Sequence, residues 1–236
     1  MRRLILAMQF MTRLPLPAVT ASEQDFAACI RWFPAAGLAV GAVVAAAIWA
    51  GARIDPWAGA LAGLVGWVLV TGALHLDGLG DIADAAGAAH KDRSRLSTVL
   101  ADPHIGSFGV IAIALQLIAK LVLLRLAIPA APLWTIAAVP AIARIAPLIW
   151  TLWLPPLHQG LGARFRGAVG WGHVSLWLAA AVIAAWFAPG LLAAVVLFPA
   201  WGWWIRRRIG GISGDGHGAG IELVESGLLI GLLCLP

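Results

Sequence analysis

The chain has 236 residues and a formal net charge of +5, but only 11% of its residues are charged and its mean hydropathy is +0.91. A soluble domain carries roughly a quarter charged residues, so this composition excludes a water-soluble fold. The basic residues lie in short loops between apolar runs, so the positive charge does not indicate binding of nucleic acid.

The N-terminal segment is too interrupted to serve as a membrane span. Arg2 and Arg3 precede an apolar run from Leu4 to Met11, and Arg13 and Pro15 then break the run. This early break argues against a cleaved signal peptide. We therefore predict an uncleaved segment at the membrane interface that contains a short amphipathic helix.

Seven apolar runs follow, and most are long enough to cross a bilayer as a helix. They are rich in Ala, Leu, Val and Ile without an alternating pattern, which favours helices over a transmembrane barrel. The runs are 34–52, 57–76, 108–128, 133–154, 173–188, 191–205 and 220–235. The fifth and sixth are short, so we predict an all-α, polytopic membrane bundle of six or seven transmembrane helices. Residues 1–236 are expected to form one membrane-embedded catalytic domain.

Charged residues give the orientation and point to one face. The N-terminal segment and the loops 77–107, 155–172 and 206–219 are basic, whereas the intervening loops carry only Arg53. The positive-inside rule therefore makes the basic loops cytoplasmic. Charge near hydrocarbon persists mostly for function. Eight of the eleven acidic residues belong to two segments on that same face: Asp77, Asp81, Asp84, Asp92, Asp102, Asp215, Glu222 and Glu225.

The first constellation runs from His75 to Asp84. Asp77, Asp81 and Asp84 are spaced i, i+4 and i+7, which places them within an arc of roughly 60° on a helix. Three aligned carboxylates repel one another unless a cation lies among them, and oxygen-only ligands favour Mg²⁺ or Mn²⁺. A solvated helix end is the alternative, but the neighbours are apolar or glycine rather than balancing cations. For His75, packing and binding are equally open.

The second constellation lies before the third apolar run. Gly106 begins a Gly-x-x-Gly turn at a predicted helix N-terminus, where backbone N–H groups could bind phosphate, and His104 stands just ahead of it. Lys91, Arg93 and Arg95 lie upstream and could neutralise a polyphosphate. The alternative is an ordinary loop with cytoplasmic positive charges.

The third constellation combines glycines with acids. Six glycines within residues 210–220, Gly214 among them, predict a loop whose backbone can approach a ligand closely. Asp215 lies within this stretch, and Glu222 and Glu225 open the last apolar run on one helical face. A flexible loop whose arginines set the topology is the alternative, but it does not explain the two glutamates.

Cations also occur within the apolar runs. Arg144 lies in the middle of one run and requires an anionic partner, which could be a carboxylate or a ligand phosphate. Lys120 and Arg125 lie nearer the outer end of another, where extension of the side chain toward the interface accounts for them.

Acids beside basic and glycine-rich segments at a membrane face indicate metal-assisted phosphoryl transfer. Two alternatives compete. A lipid-type alcohol phosphotransferase would carry the signature Asp-x-x-Asp-Gly-x-x-Ala-Arg, which is not matched. A cation or metabolite transporter would place its binding charges near the midplane, whereas these acids lie at the edge.

The motifs together resemble the cobalamin (5′-phosphate) synthase family, also called adenosylcobinamide-GDP ribazoletransferase. The string His-Leu-Asp-Gly-Leu-x-Asp-x-x-Asp is highly specific, and so is its pairing with Gly-Asp-x-x-Gly-Ala-x-x-Glu-Leu-x-Glu. The matching pieces span almost the whole chain and are Phe10 to Pro17, Trp32 to Gly37, His75 to Ala85, Asp102 to Gly109 and Gly210 to Glu225. At position 104 the chain has His where similar sequences usually have Arg.

The resemblance implies a transferase of the bacterial inner membrane that requires Mg²⁺. It would join adenosylcobinamide-GDP to α-ribazole or its 5′-phosphate and release GMP. Carried over, Asp77, Asp81, Asp84 and Asp215 would hold the metal, and Asp81, Asp84, Glu222 and Glu225 would be catalytic. Besides substrates and lipid we expect no nucleic-acid partner, and a homo-oligomer or a complex with other cobalamin-pathway enzymes is left open.

Overall fold

The computed structural model describes residues 1–91, 99, 104–158 and 160–235, with the side chains at 89–91, 161 and 162 left aside. Helices dominate this part of the chain, which contains no β-strand. The helices, labelled in chain order, are α1 (Arg2–Met11), α2 (Glu23–Ala28), α3 (Phe33–Gly51), α4 (Pro56–Thr71), α5 (Leu74–Lys91), α6 (Ser107–Ala130), α7 (Leu133–Ala143), α8 (Ala146–Trp153), α9 (Leu161–Arg166), α10 (Trp171–Phe187), α11 (Ala194–Arg208) and α12 (Gly214–Cys234).

The predicted all-α membrane bundle is confirmed. Among the described residues four helical segments are long and apolar enough to cross a membrane: Glu23–Gly51, Ser107–Ala130, Leu133–Trp153 and Gly214–Cys234. The α4–α5 pair would add a fifth if it counts as one bent span. The predicted count of six or seven is higher because it includes α10 and α11, which have only 17 and 15 residues.

A sharp bend separates α4 from α5 and divides the predicted span 57–76. The two helix axes differ in direction by 85°. Gly72 and Ala73 occupy the left-handed region with φ values of +60° and +58°, which glycine adopts freely but alanine adopts only with strain. The backbone N–H of Arg13 donates to the carbonyl of Val70 at 2.7 Å, and the Arg13 side chain packs against Gly72. The bend therefore makes the motif from His75 to Asp84 a helix of its own.

Small residues let α3 and α7 approach at backbone distance. Gly37 and Gly41 are spaced i and i+4 on α3, the spacing that brings helices together in membranes. A Cβ at Gly37 would lie 2.5 Å from the Cα of Ala141, and one at Gly41 would collide with the backbone of Ala137. Gly37 and Gly41 thus serve helix packing, which explains the glycine of the segment from Trp32 to Gly37 without a ligand.

The glycine-rich stretch is helical, so the prediction of a loop over 210–220 is wrong from Gly214 onward. Ser213 caps α12 by accepting a hydrogen bond from the N–H of Gly216. Three α12 glycines then face close neighbours: Gly218 meets His75, Gly220 meets the Trp150 and Trp201 rings, and Gly231 meets Gly190. Glycine weakens an isolated helix by about 1 kcal/mol per residue. Here the absence of a side chain allows close tertiary contacts, and these contacts offset the low helix propensity. These contacts bury α12 in the bundle centre.

Candidate active site

Four aspartates form a carboxylate patch where α5 crosses α12; we use this name for Asp77, Asp81, Asp84 and Asp215. The crossing is tight because Gly78 lies against the backbone of Asp215, where a Cβ would come within 2.9 Å of the Asp215 Cα. The carboxylates of Asp215, Asp77 and Asp84 each act electrostatically on that of Asp81. Two segments more than a hundred residues apart therefore bring like charges together.

In the part of the chain that the structure describes, no lysine or arginine balances most of the negative charge of the patch. Asp77 is exposed and the other three carboxylates are half-buried. Within the described residues, no lysine or arginine forms an ion pair with Asp77, Asp81 or Asp215. Mutual repulsion of this kind is relieved by a bound cation. The electrostatics of the patch therefore favour a positively charged ligand.

Asp84 is bound differently from the other three members of the patch. Its carboxylate accepts hydrogen bonds from the backbone N–H of Gly106 at 2.7 Å and from that of Gly109 at 3.0 Å. Gly106 is the N-cap of α6, so Asp84 neutralises the positive end of that helix. These amides were predicted to bind phosphate, and in the structure they bind the chain's own carboxylate. His104 lies exposed in the preceding turn.

A preformed metal cage is not present among the described residues, where no three His, Cys, Asp or Glu side chains are grouped closely enough to hold an ion. Mg²⁺ does not need such a cage, because it keeps several waters and binds one or two carboxylates together with substrate phosphates. The oxygen-only donors of Asp77, Asp81 and Asp215 fit an ion that arrives with a phosphate ligand. The four-aspartate metal site stays a prediction.

Glu222 and Glu225 belong to a separate feature, the buried ion cluster, which consists of Lys120, Arg144, Glu222 and Glu225. Lys120 Nζ lies 2.7 Å from Glu222 Oε2 and 2.5 Å from Glu225 Oε2, and Arg144 Nη1 lies 2.9 Å from Glu225 Oε1. The cluster side chains are at most 4% exposed. Gln116 also donates to Glu222 at 2.9 Å. Two acids and two cations leave the cluster neutral.

This arrangement bears on three expectations from the sequence. Glu222 and Glu225 lie seven and ten residues beyond Asp215, or roughly 10 and 15 Å farther along the helix, and their charges are already paired. Both carboxylates are bonded to cations and lie apart from the patch, and the catalytic role of Glu222 and Glu225 stays a prediction. Lys120 does not extend to the interface but is buried. Of the two partners considered for Arg144, the observed one is a carboxylate.

His75 connects the buried ion cluster to the N-terminal helix α1. Its Nδ1 lies 3.3 Å from Arg144 Nη2, and its Nε2 lies 3.4 Å from the Met11 sulfur. Because a guanidinium only donates, Nδ1 must be the acceptor and the proton must lie on Nε2. His75 is thus a neutral imidazole whose N–H faces a thioether, which is a weak acceptor. A better acceptor could take this N–H.

A cavity of about 120 Å³, the site cavity, lies beside the patch. Its polar lining comes from His75, Asp77, Asp215 and His217, and Gly214 lines it as well. Its apolar walls include three mutually packed rings, Phe10, Phe33 and Phe165, with centroids 5.6–6.2 Å apart. The N-terminal motif that contains Phe10 and Met11 therefore reaches the same site as the aspartates.

His217 is a residue of the site that no sequence pattern singles out. The residue is 4% exposed, its Nε2 lies 3.3 Å from Thr151 Oγ1, and its Nδ1 has no hydrogen-bond partner within the described part of the chain. Its ring stacks on Trp150 at a centroid distance of 6.1 Å. A histidine two residues after Asp215 gave the only signal, and no spacing rule distinguishes it from a packed side chain.

The predicted phosphate-binding side chains of Lys91, Arg93 and Arg95, and the acids Asp92 and Asp102, lie outside the described residues.

Comparisons with known protein families and sequences all match the chain to one family. The sequence profile of the family described as Cobalamin-5-phosphate synthase matches residues 3–233. A Novosphingobium aromaticivorans protein named adenosylcobinamide-GDP ribazoletransferase is 60% identical over 98% of this chain and 95% of its own length. Proteins of that name from Thiobacillus denitrificans and Laribacter hongkongensis are 52% and 54% identical, over 98% of this chain and 94% and 96% of their lengths. No solved structure matches the chain.

Proposed function

The chain belongs to the cobalamin-5-phosphate synthase family and is a transferase of cobalamin synthesis, and we propose that it joins adenosylcobinamide-GDP to α-ribazole or α-ribazole 5′-phosphate. The products are GMP and adenosylcobalamin or its 5′-phosphate. The observation that carries this proposal is the carboxylate patch beside the site cavity, where four mutually repelling carboxylates adjoin space for a substrate.

In the proposed reaction a ribose hydroxyl of α-ribazole attacks the cobinamide-linked phosphorus. A new P–O bond forms, the phosphoanhydride bond to GMP breaks, and the hydroxyl proton passes to a carboxylate. Asp81 is our candidate for this base because it is the central member of the patch. Asp84 is less available, since both of its oxygens already accept hydrogen bonds from the α6 N-terminus.

We propose Mg²⁺ as the cofactor, held by Asp77, Asp81 and Asp215 together with substrate phosphates. Bound there, the ion would neutralise the diphosphate and stabilise the charge that develops on the leaving phosphate. The oxygen-only donor set and the repulsion among its members support this choice. Asp84 would not bind the ion directly but would hold the N-terminus of α6 against α5, beside the other three aspartates.

The same proposal gives supporting roles to residues near the patch. His75 would donate its Nε2–H toward a ligand in the site cavity, while Arg144 fixes the tautomer. Glu222 and Glu225 would hold α6 and α12 in register through the buried ion cluster. Lys91, Arg93, Arg95 and His104 stay candidates for contacts with the diphosphate.

We further propose that the protein resides in the bacterial inner membrane with the patch at the cytoplasmic face. Arg206, Arg207 and Arg208 end α11 a few residues before Asp215, and clustered arginines favour the cytoplasmic side. A reporter inserted after Gly210 should therefore read as cytoplasmic. A periplasmic signal from that insertion would contradict the assignment.

Turnover by the purified protein tests the function directly. In lipid, with adenosylcobinamide-GDP, α-ribazole and Mg²⁺, we expect GMP and the joined corrinoid in equal amounts. Asp81→Asn should lower the rate by more than about a hundredfold, because even outer partners of a catalytic metal are worth roughly 10–100-fold. Asp55→Asn is the matched control, since Asp55 caps α4 and is not a member of the patch.

Metal dependence forms a second arm of the same experiment. Removal of divalent ions with a chelator should abolish turnover, and added Mg²⁺ should restore it. Normal GMP release in excess chelator, or near-normal turnover of Asp81→Asn, would contradict the proposed metal site.

A further inference from the structure

The site cavity is lined by a histidine, His217, that the proposed phosphoryl transfer does not use. His217 is buried, and its Nδ1 has no hydrogen-bond partner among the described residues, while the Nε2–H of His75 faces the Met11 sulfur. Both rings line the same cavity. Unpartnered polar atoms in a buried wall cost stability unless a ligand uses them. The cavity is therefore built to receive something that accepts or donates hydrogen bonds.

We propose that the site cavity binds the flat heterocyclic base of the nucleoside substrate, with His217 bonded to its free ring nitrogen. This inference rests on the proposed function and adds the location and the recognition chemistry of one substrate. The mouth of the cavity is lined by the exposed Asp77 and by Asp215, so a base seated inside presents its ribose hydroxyls to the carboxylate patch.

The apolar walls suit an aromatic ring. Phe10, Phe33 and Phe165 pack against one another, with Phe33 and Phe165 edge to face at 5.6 Å and an interplanar angle of 83°. Aromatic rings prefer such stacked and edge-to-face neighbours. An apolar cavity of roughly 150 Å³ can hold benzene, so about 120 Å³ takes one ring of a bicyclic base and leaves the other at the mouth.

The polar groups match a base with few hydrogen-bonding atoms. The benzimidazole base of α-ribazole has a single free ring nitrogen, which is an acceptor. If the Thr151 hydroxyl donates to His217 Nε2, the proton of the neutral imidazole lies on Nδ1 and is available to that nitrogen. Guanine, the base of the leaving group, carries several donors and acceptors, and most of them would face phenylalanine here without partners.

Binding of α-ribazole alone tests the proposal without turnover. Equilibrium dialysis with no metal and no adenosylcobinamide-GDP should show that the wild-type protein binds α-ribazole. His217→Phe keeps the ring stacked on Trp150 but removes the nitrogens, and it should weaken binding about tenfold, the value of one hydrogen bond. Leu74→Trp places bulk at the partly exposed mouth and should weaken binding at least as much. Leu69→Trp is the control, since Leu69 is 68% exposed and does not line the cavity.

Turnover then separates this inference from the function on which it rests. His217→Phe should raise KM for α-ribazole about tenfold and leave KM for adenosylcobinamide-GDP within twofold. If the wild-type enzyme turns over but both cavity variants bind α-ribazole as the wild type does, the inference is overturned while the function stands. If α-ribazole binds as expected without any turnover, the proposed reaction fails and the binding site stands. Loss of GMP binding in the cavity variants, with α-ribazole binding intact, would assign the cavity to guanine and overturn the inference.

Discussion

Glu225→Gln tests whether the buried ion cluster stabilises the bundle. The substitution preserves the shape of the side chain and removes one negative charge from a neutral group of four. Arg144, which is fully buried, then loses its carboxylate partner, and Lys120 retains only Glu222. An unpaired charge of this kind is expensive because burial removes its hydration.

The expected loss in the free energy of unfolding follows from the burial of the ion pair. Breaking a buried ion pair by removing one partner costs about 3–5 kcal/mol. For a chain of this length each kcal/mol lowers Tm by roughly 2–4 °C, so we expect a decrease on the order of 10 °C. Asp25→Asn is the matched control because Asp25 pairs with Arg3 at the protein surface. Surface pairs contribute little, so the Tm of this control should change by less than about 3 °C.

The Tm of both variants is measured by heating the purified protein in detergent and monitoring the loss of its monodisperse peak in size-exclusion chromatography. Arg144→Met combined with Glu225→Gln removes both charges of one pair and leaves Lys120 bonded to Glu222. This double variant should be clearly more stable than the sum of the two single changes predicts. Strict additivity, or a Glu225→Gln shift no larger than that of the surface control, would refute the role of the cluster.

Three further changes test the local structure by the same thermal measurement. Asp84→Asn should lower stability by about 1 kcal/mol, because a charged cap of α6 is lost, and a stability equal to the wild type would argue against the cap. Gly41→Ala should disrupt the α3–α7 contact, whereas Gly167→Ala, with open space around it, should not; equal effects would contradict the packing. Ala73→Gly should relieve about 1–2 kcal/mol of left-handed strain, while Gly72→Ala should destabilise by strain and by collision with a side chain; the opposite order would refute the assigned bend.

Local spacing made much of the site predictable. The i, i+4, i+7 pattern of Asp77, Asp81 and Asp84 depends only on helical geometry, and the structure keeps all three in one helix. Their association with Asp215 was also expected, because both segments were assigned to the same face of the membrane. Composition predicts a membrane protein, and the absence of an alternating pattern in the apolar runs predicts a helical bundle.

The partners of buried charges could not be predicted in the same way. Lys120 and Glu222 lie about a hundred residues apart, and only the rotation of α6 and α12 about their axes brings them together. Sequence gives the position of a residue along a helix but not its depth or direction in the bundle. Lys120 was therefore interpreted as reaching the interface, and Glu222 was placed with the site acids.

The prediction of a loop at the glycine-rich start of α12 is wrong for a related reason. Helix propensity favoured a loop, but propensity is a weak guide where tertiary contacts decide. Gly218 is helical because His75 occupies the space that a side chain would need, and Gly78 stands in the same relation to Asp215. The glycines of the sequence indicate that another segment approaches the helix closely. They do not indicate which residue that neighbour is.

Helix α12 contributes Asp215 to the patch and both glutamates to the cluster, and this links stability to the site. A displacement of α12 by one helical turn would move Asp215 by about 5.4 Å relative to Asp77. Glu225 opposes that displacement because it is bonded to both Lys120 on α6 and Arg144 after α7, and Arg144 in turn orients His75. We therefore expect Glu225→Gln to lose turnover well below its Tm, where Asp25→Asn turns over normally. Full activity of the folded Glu225→Gln variant would show that the cluster stabilises the bundle without positioning the site.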